Sequence, residues 1–111
     1  MVCADGFAPL GVDPIIRAAL ADQSISKPTE IQSMAIQRLI NGCDATIASH
    51  TGSGKTYAYL IPLVQRLKSE ENAYGVSDGR LLARPNRPRA LVVGPSRELT
   101  LQVGVVFLLF F

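Results

Sequence analysis

An α/β domain with a partial parallel sheet is the fold this sequence predicts, and three observations predict it. Two short apolar segments rich in β-branched residues, 44–49 (DATIAS) and 90–94 (ALVVG), read as strands. Each runs through a turn into a segment with helical spacing. Strand, helix, loop, strand, helix is the order that builds a parallel sheet with helices on its faces. The composition agrees, with 48% hydrophobic and 18% charged residues over 111 positions, which is globular and not disordered. No internal repeat is visible.

The elements follow in chain order. Asp13 before Pro14 is a helix start, a capping carboxylate followed by proline at the first helical position. A short helix carries Ile15, Ile16, Ala19 and Leu20, and residues 24–28 break it because Pro28 disfavours helical geometry just before itself. Thr29 opens a second helix with Ile31, Ala35, Leu39 and Ile40 along one face, closed by Asn41-Gly42. Residues 55–68 form a third helix with Ala58, Ile61, Leu63, Val64 and Leu67 mostly inward and Pro62 as a bend. Residues 69–89 are polar, with Gly75, Gly79, Pro85 and Pro88, and read as a long surface loop. A further helix begins near Ser96.

Charge and cysteine usage exclude little. The net charge of +2 is too small to argue for nucleic acid by itself, although Arg80, Arg84, Arg87, Arg89 and Arg97 gather in the last third. The Arg80–Arg89 cluster reads as a solvated loop. Cys3 and Cys43 have no metal or redox spacing, so reduced thiols and an intracellular setting are expected. The N-terminus has no basic region followed by an apolar core, so no secretory signal is visible. The one sustained apolar run, 103–111 (VGVVFLLFF), is far short of the ~20 residues a spanning helix needs. No membrane association is expected.

The most informative stretch is 50–56 (HTGSGKT). A strand, a Gly-x-Gly turn and a Lys-Thr pair opening a helix form a phosphate-binding loop, and the chemistry dictates the residue types. Gly52 and Gly54 let backbone amides point at an anion without an obstructing Cβ, and the helix N-terminus adds partial positive charge. Thr51 and Ser53 complete the turn. Lys55 places an ammonium on the β- and γ-phosphates, and Thr56 offers a hydroxyl to Mg²⁺, which prefers hard oxygen ligands. Ser49 stands where the general pattern has its first glycine. A flexible Gly-Ser linker before an amphipathic helix is the bland alternative; the strand before it and the helix after it favour the nucleotide site.

Residues 24–32 (SISKPTEIQ), preceded by Phe7 and by GVDPIIRAAL, resemble the Q motif of the DEAD-box RNA helicases. In that family the glutamine reads the adenine edge and the upstream aromatic packs on the adenine ring, which the resemblance carries to Gln32 and Phe7. Thr29 and Gln32 also fit a capping box, and Phe7 also fits a hydrophobic anchor, whether or not adenine binds. The phosphate loop resembles the family's Ala-x-Thr-Gly-x-Gly-Lys-Thr, with Ser49 for alanine. Residues 95–102 (PSRELTLQ) resemble its motif Ia, with Ser96 for threonine and Thr100 for alanine. That segment contacts the RNA sugar-phosphate backbone in the family, which implies the same for Pro95, Ser96 and Arg97. A helix start with a hydroxyl, free amides and a nearby arginine suits phosphate without reading bases. A capped helix with an Arg97–Glu98 surface pair is the alternative.

The resemblance implies the N-terminal part of a RecA-like ATP-binding domain over residues 1–102, with the Q motif at 7–32, the phosphate loop at 49–56 and motif Ia at 95–100. ATP and Mg²⁺ are the implied ligands and RNA the implied partner. The family hydrolyses ATP with a later Asp-Glu-Ala-Asp motif, whose carboxylates hold Mg²⁺ and position water, helped by a Ser-Ala-Thr motif and arginines of a second domain. None of the acidic residues here ends an apolar strand after the phosphate loop. The expectation is therefore a fragment that binds ATP without hydrolysing it alone. Residues 103–111 carry no polar face, so a surface helix is not expected there, and the tail reads as the mark of a truncated or mis-spliced product. Two other readings stay open: a fragment of another P-loop NTPase or kinase, and a non-catalytic product without a stable fold.

Overall fold

The computed structural model describes residues 6–75, 82 and 84–110. A single 3-10 turn, Ala8–Leu10, leads into α1 (Pro14–Asp22), followed by α2 (Glu30–Ile40), α3 (Lys55–Ala73) and α4 (Arg97–Leu108). Asp13 sits at the N-cap of α1 in extended geometry, but its side chain makes no capping bond. Its backbone N–H instead donates to Gln65 Oε1 at 2.9 Å. The expected helix start therefore holds in position, without the capping bond expected of the carboxylate. Helix α2 begins with a complete capping box: Gln32 N–H donates to Thr29 Oγ1, and Thr29 N–H donates to Gln32 Oε1 at 2.9 Å. It closes at Asn41, with Gly42 at φ 84°.

Helix α3 runs five residues beyond the expected 55–68, because nothing in Ser-Glu-Glu-Asn-Ala stops it. Gly75, at φ 69°, does. Glu70 pairs with Arg66 one turn back at 3.5 Å, and Glu71, buried to 8% exposure, pairs with Arg89 at 2.9 Å. A buried carboxylate needs such a partner. Arg89 also donates to the Leu67 carbonyl at 2.9 Å and reaches Glu70 at 3.5 Å. The chain returning from the polar loop is thereby pinned to the last turns of α3. The bond to Glu71 raises the Arg89 pKa above its ordinary value, so deprotonation of Arg89 removes this contribution only in strongly alkaline solution. Arg89 is thus a structural clamp, not a member of a solvated cluster. Arg84 and Arg87 flank a tight turn with Asn86 at φ 59° and are exposed, while Arg80 lies outside the described residues.

The core is helical. Phe7 and Val12 from the N-terminal segment, Ile16 and Leu20 from α1, Ile36 from α2, and Ile61 and Val64 from α3 form one buried cluster, joined by Phe110. Helices α2 and α3 make the principal helix–helix contact. Phe7, Ile16, Leu20, Ile36, Ile61 and Val64 are each at most 1% exposed. Burying a side chain of this size is worth about 1.5–3 kcal/mol, so this cluster holds the N-terminal segment against α3.

The expected sheet is not formed among the described residues. Segments 44–49 and 90–94 carry no regular structure and form no β-ladder with each other or with another segment, and the only β-bridge among the described residues is the turn between Arg84 and Arg87. A strand is stabilised by cross-strand pairs and ladder hydrogen bonds, and among the described residues neither segment makes them. Leu91 and Val93 consequently remain 79% and 83% exposed.

The tail also differs from expectation. Helix α4 starts at Ser96 and continues through the apolar residues to Leu108, lying on the surface with none of its residues fully buried. Val106 and Phe107 rest against the core, and Phe110 inserts into it, its ring edge-on to Tyr57 at 6.2 Å. Three such anchors hold a helix without a polar face, at the cost of leaving Leu101, Val105 and Leu108 at least 60% exposed. Among the described residues no helix is long and apolar enough to cross a membrane. Cys43 is an exposed free thiol, and Cys3 lies outside the described residues.

Arg89→Met removes the clamp and leaves Glu71 buried without its partner. Urea denaturation of this variant is expected to show a loss of about 1–2 kcal/mol in stability.

Candidate nucleotide-binding site

The site forms where the N-termini of α2 and α3 meet. Gly54 stands at the N-cap of α3 with φ 87°, a left-handed conformation that side chains disfavour. The first N–H to close the helical ladder is that of Ala58, which donates to the Gly54 carbonyl at 3.2 Å. The amides of Lys55, Thr56 and Tyr57 therefore have no acceptor one turn back within the helix, and they give this end of α3 its partial positive charge. The preceding turn is closed by Ser53 N–H donating to the His50 carbonyl at 3.3 Å, with Gly52 at φ 83°.

Gln32 ties the two helices together. Its Oε1 accepts from Thr29 N–H, and its Nε2 donates to the Gly54 carbonyl at 3.1 Å across 22 residues of sequence. Only 4% of the residue is exposed. A Cβ on Gly54 would collide with this amide, so glycine is required here twice over, by its backbone angle and by the approach of Gln32. The capping box is real, and it coexists with a direct contact to the phosphate loop.

Two groups in the loop bear on an anion. Lys55 Nζ donates to the Ser49 carbonyl, folding its ammonium back over the turn. Ser53 Oγ is buried and has no hydrogen-bond partner, an uncommon condition for a hydroxyl. A cavity of about 400 Å³ opens between the first turn of α2 and the loop, bordered by Thr29, Glu30, Met34, Ser49, His50 and Ser53. An orphaned hydroxyl, unpaired helix amides and a lysine held only by a loop carbonyl form a donor set that fits phosphate oxygens. Thr56 is half-buried at the second position of α3, and Thr51 is exposed. Among the described residues no group of three or more His, Cys, Asp or Glu side chains stands together to hold a metal ion.

The profile of the DEAD/DEAH box helicase family matches residues 29–111. The chain belongs to that family. The DEAD/DEAH box match starts at the capping threonine and runs through the loop, motif Ia and the apolar tail. Among relatives, the chain is 39% identical to DEAD-box ATP-dependent RNA helicase 39 of Arabidopsis thaliana over 89% of its residues. It is 43% identical to DEAD-box ATP-dependent RNA helicase 16 of the same plant over 87%, and 38% identical to ATP-dependent RNA helicase DBP7 of Coccidioides immitis over 92%. It spans 15%, 14% and 14% of the lengths of these relatives, respectively.

The residues expected at the site are gathered in part. Gln32 and the 49–55 loop are in direct contact. Phe7 is a core residue, 1% exposed, packed among Val12, Ile16 and the α3 side chains. Pro95, Ser96 and Arg97 are exposed at the start of α4, where Ser96 Oγ caps the helix by accepting from Leu99 N–H at 3.3 Å. Thr100 Oγ1 donates back to the Ser96 carbonyl at 2.8 Å, and Arg97 forms no ion pair with Glu98. Sequence reasoning missed Gln65, whose amide holds the turn between Gly11 and Asp13. A glutamine on a largely apolar helix face was its only visible signal.

Gly54→Ala introduces both an unfavourable backbone angle and a clash with Gln32. Isothermal titration with a nucleoside triphosphate is expected to show affinity reduced by about tenfold or more.

Proposed function

We propose that this chain supplies the ATP-binding portion of an ATP-dependent RNA helicase, and that it binds ATP without turning it over alone. The observation that carries this reading is the bond from Gln32 Nε2 to the Gly54 carbonyl, which sets a base-reading amide against a phosphate loop. The relatives are named as ATP-dependent RNA helicases, which supports the choice of adenine and of RNA.

The amide of Gln32 has capacity beyond the two bonds it makes. A carboxamide carries two donor hydrogens and two acceptor lone pairs. One of each is used on Gly54 and Thr29, leaving capacity for one more donor and one more acceptor bond. Adenine presents one acceptor and one donor on its N7/N6 edge; guanine presents two acceptors there. Gln32 therefore selects adenine by what its other bonds leave over. Phe7 supports the base from the core side, and because its ring is covered, contact with adenine takes a local shift of residues 6–11.

At the phosphate end, Lys55 exchanges the Ser49 carbonyl for β- and γ-phosphate oxygens, and the orphaned Ser53 hydroxyl gains a partner. Thr51, Gly52, Gly54 and the first amides of α3 complete the cradle. Thr56 is the residue of this loop suited to a hydrated Mg²⁺, which would neutralise phosphate charge there. Motif Ia, through Pro95, Ser96 and Arg97, serves the RNA backbone without reading sequence.

Competition titrations test the base reading. ATP is expected to outcompete GTP for the chain, and Gln32→Ala to reduce that preference by about tenfold. Lys55→Ala should weaken both nucleotides by about ten- to a hundredfold. An equal affinity for ATP and GTP in the unsubstituted chain would sink the adenine assignment. For RNA, filter binding of Arg97→Ala across a salt series is expected to weaken all sequences alike and lower the salt slope by about one.

A further inference from the structure

We infer that Gln65 is a positioning residue for base recognition: it fixes the N-terminal segment 6–13 to the helix that carries the phosphate loop, and so sets adenine preference without touching nucleotide. The inference rests on the adenine reading above.

Gln65 lies on α3 ten residues after Lys55, about 15 Å along the helix axis. Its side-chain amide makes two bonds to the backbone of one short turn. Oε1 accepts from Asp13 N–H at 2.9 Å, and Nε2 donates to the Gly11 carbonyl at 2.9 Å. The two backbone groups flank Val12, whose side chain is turned the other way into the core at 3% exposure. An amide gripping both sides of one residue fixes that backbone in position and in rotation. A single apolar contact would not.

Phe7 is attached to this grip through one turn. Leu10 N–H donates to the Phe7 carbonyl at 3.1 Å, and Gly11 N–H donates to the Ala8 carbonyl at 3.1 Å, which ties residues 7–11 into one short turn that can shift only as a unit about its anchor at Gly11–Asp13. At the other end Gly6 N–H donates to the Ser26 carbonyl at 3.0 Å, three residues before the capping threonine of α2. The segment bearing Phe7 is therefore tied at one end to the approach of α2 and at the other to Gln65. Because Gly54 caps α3, one helix, continuous through Pro62, sets the distance between the phosphate loop and the far anchor of the segment. The bond of Arg17 Nε to the Val12 carbonyl at 3.0 Å supports the same turn from α1.

The test is nucleotide competition on the full 111-residue chain, comparing ATP with GTP for the unsubstituted protein, Gln65→Leu, Phe7→Leu and the double variant. Gln65→Leu keeps the side chain's bulk and removes both bonds. Its ATP-over-GTP preference is expected to fall by about three- to tenfold, with GTP affinity changed little. In the Phe7→Leu background the same change should have no further effect on preference, because Gln65 acts through that segment. Gln65→Glu, which retains the acceptor for Asp13, is expected to recover part of the preference and answers the question should Gln65→Leu fail to fold. Equal weakening of ATP and GTP, unchanged or increased preference, or effects that add fully in the double variant would each overturn the inference. Absence of any preference in the unsubstituted chain would instead remove the adenine reading on which it rests.

Discussion

The carbonyl of Gly54 accepts two hydrogen bonds, one from the first laddered amide of α3 and one from the side chain of Gln32. The second bond draws the N-terminus of α2 onto the N-terminus of α3. Two helix starts brought together concentrate unpaired amide hydrogens, and the local potential becomes positive without help from net charge. Gln32 pays for its burial by satisfying both ends of its amide on backbone groups. Remove that arrangement and the loop loses its defined distance from the segment proposed to read the base.

Much of this was legible in the chain. The capping box at Thr29–Gln32, the glycine closure at Gly42 and the loop at 50–56 each depend on local chemistry, where residue type and spacing carry the information. The family assignment drew on the same local patterns. What was not legible is long-range. Nothing in the neighbourhood of Arg89 announces that its partner is Glu71, eighteen residues earlier, or that Gln65 would hold Gly11 and Asp13. The bond from the Asp13 backbone N–H to Gln65 was equally illegible, while the capping role expected of the Asp13 side chain is not taken up.

The strand assignments show a different limit. Alternation and β-branching describe what a segment prefers when it has neighbours, and 44–49 and 90–94 have the right pattern. Pairing is a property of two segments together, and among the described residues these two form no ladder. The helices differ because their backbone bonds are internal. They needed only one another's apolar faces to form the core around Ile36, Ile61 and Val64.

Nearly all of that core comes from the first 64 residues, with Phe110 the exception. The docking of α2 on α3 therefore draws mainly on residues up to Val64. The contact of Gln32 with Gly54 thus rests on packing supplied by α1, α2 and α3 and not on a β-ladder. Exposed Leu91 and Val93 then become a matter of keeping company and staying dissolved, while the meeting of the two helix starts stands without them.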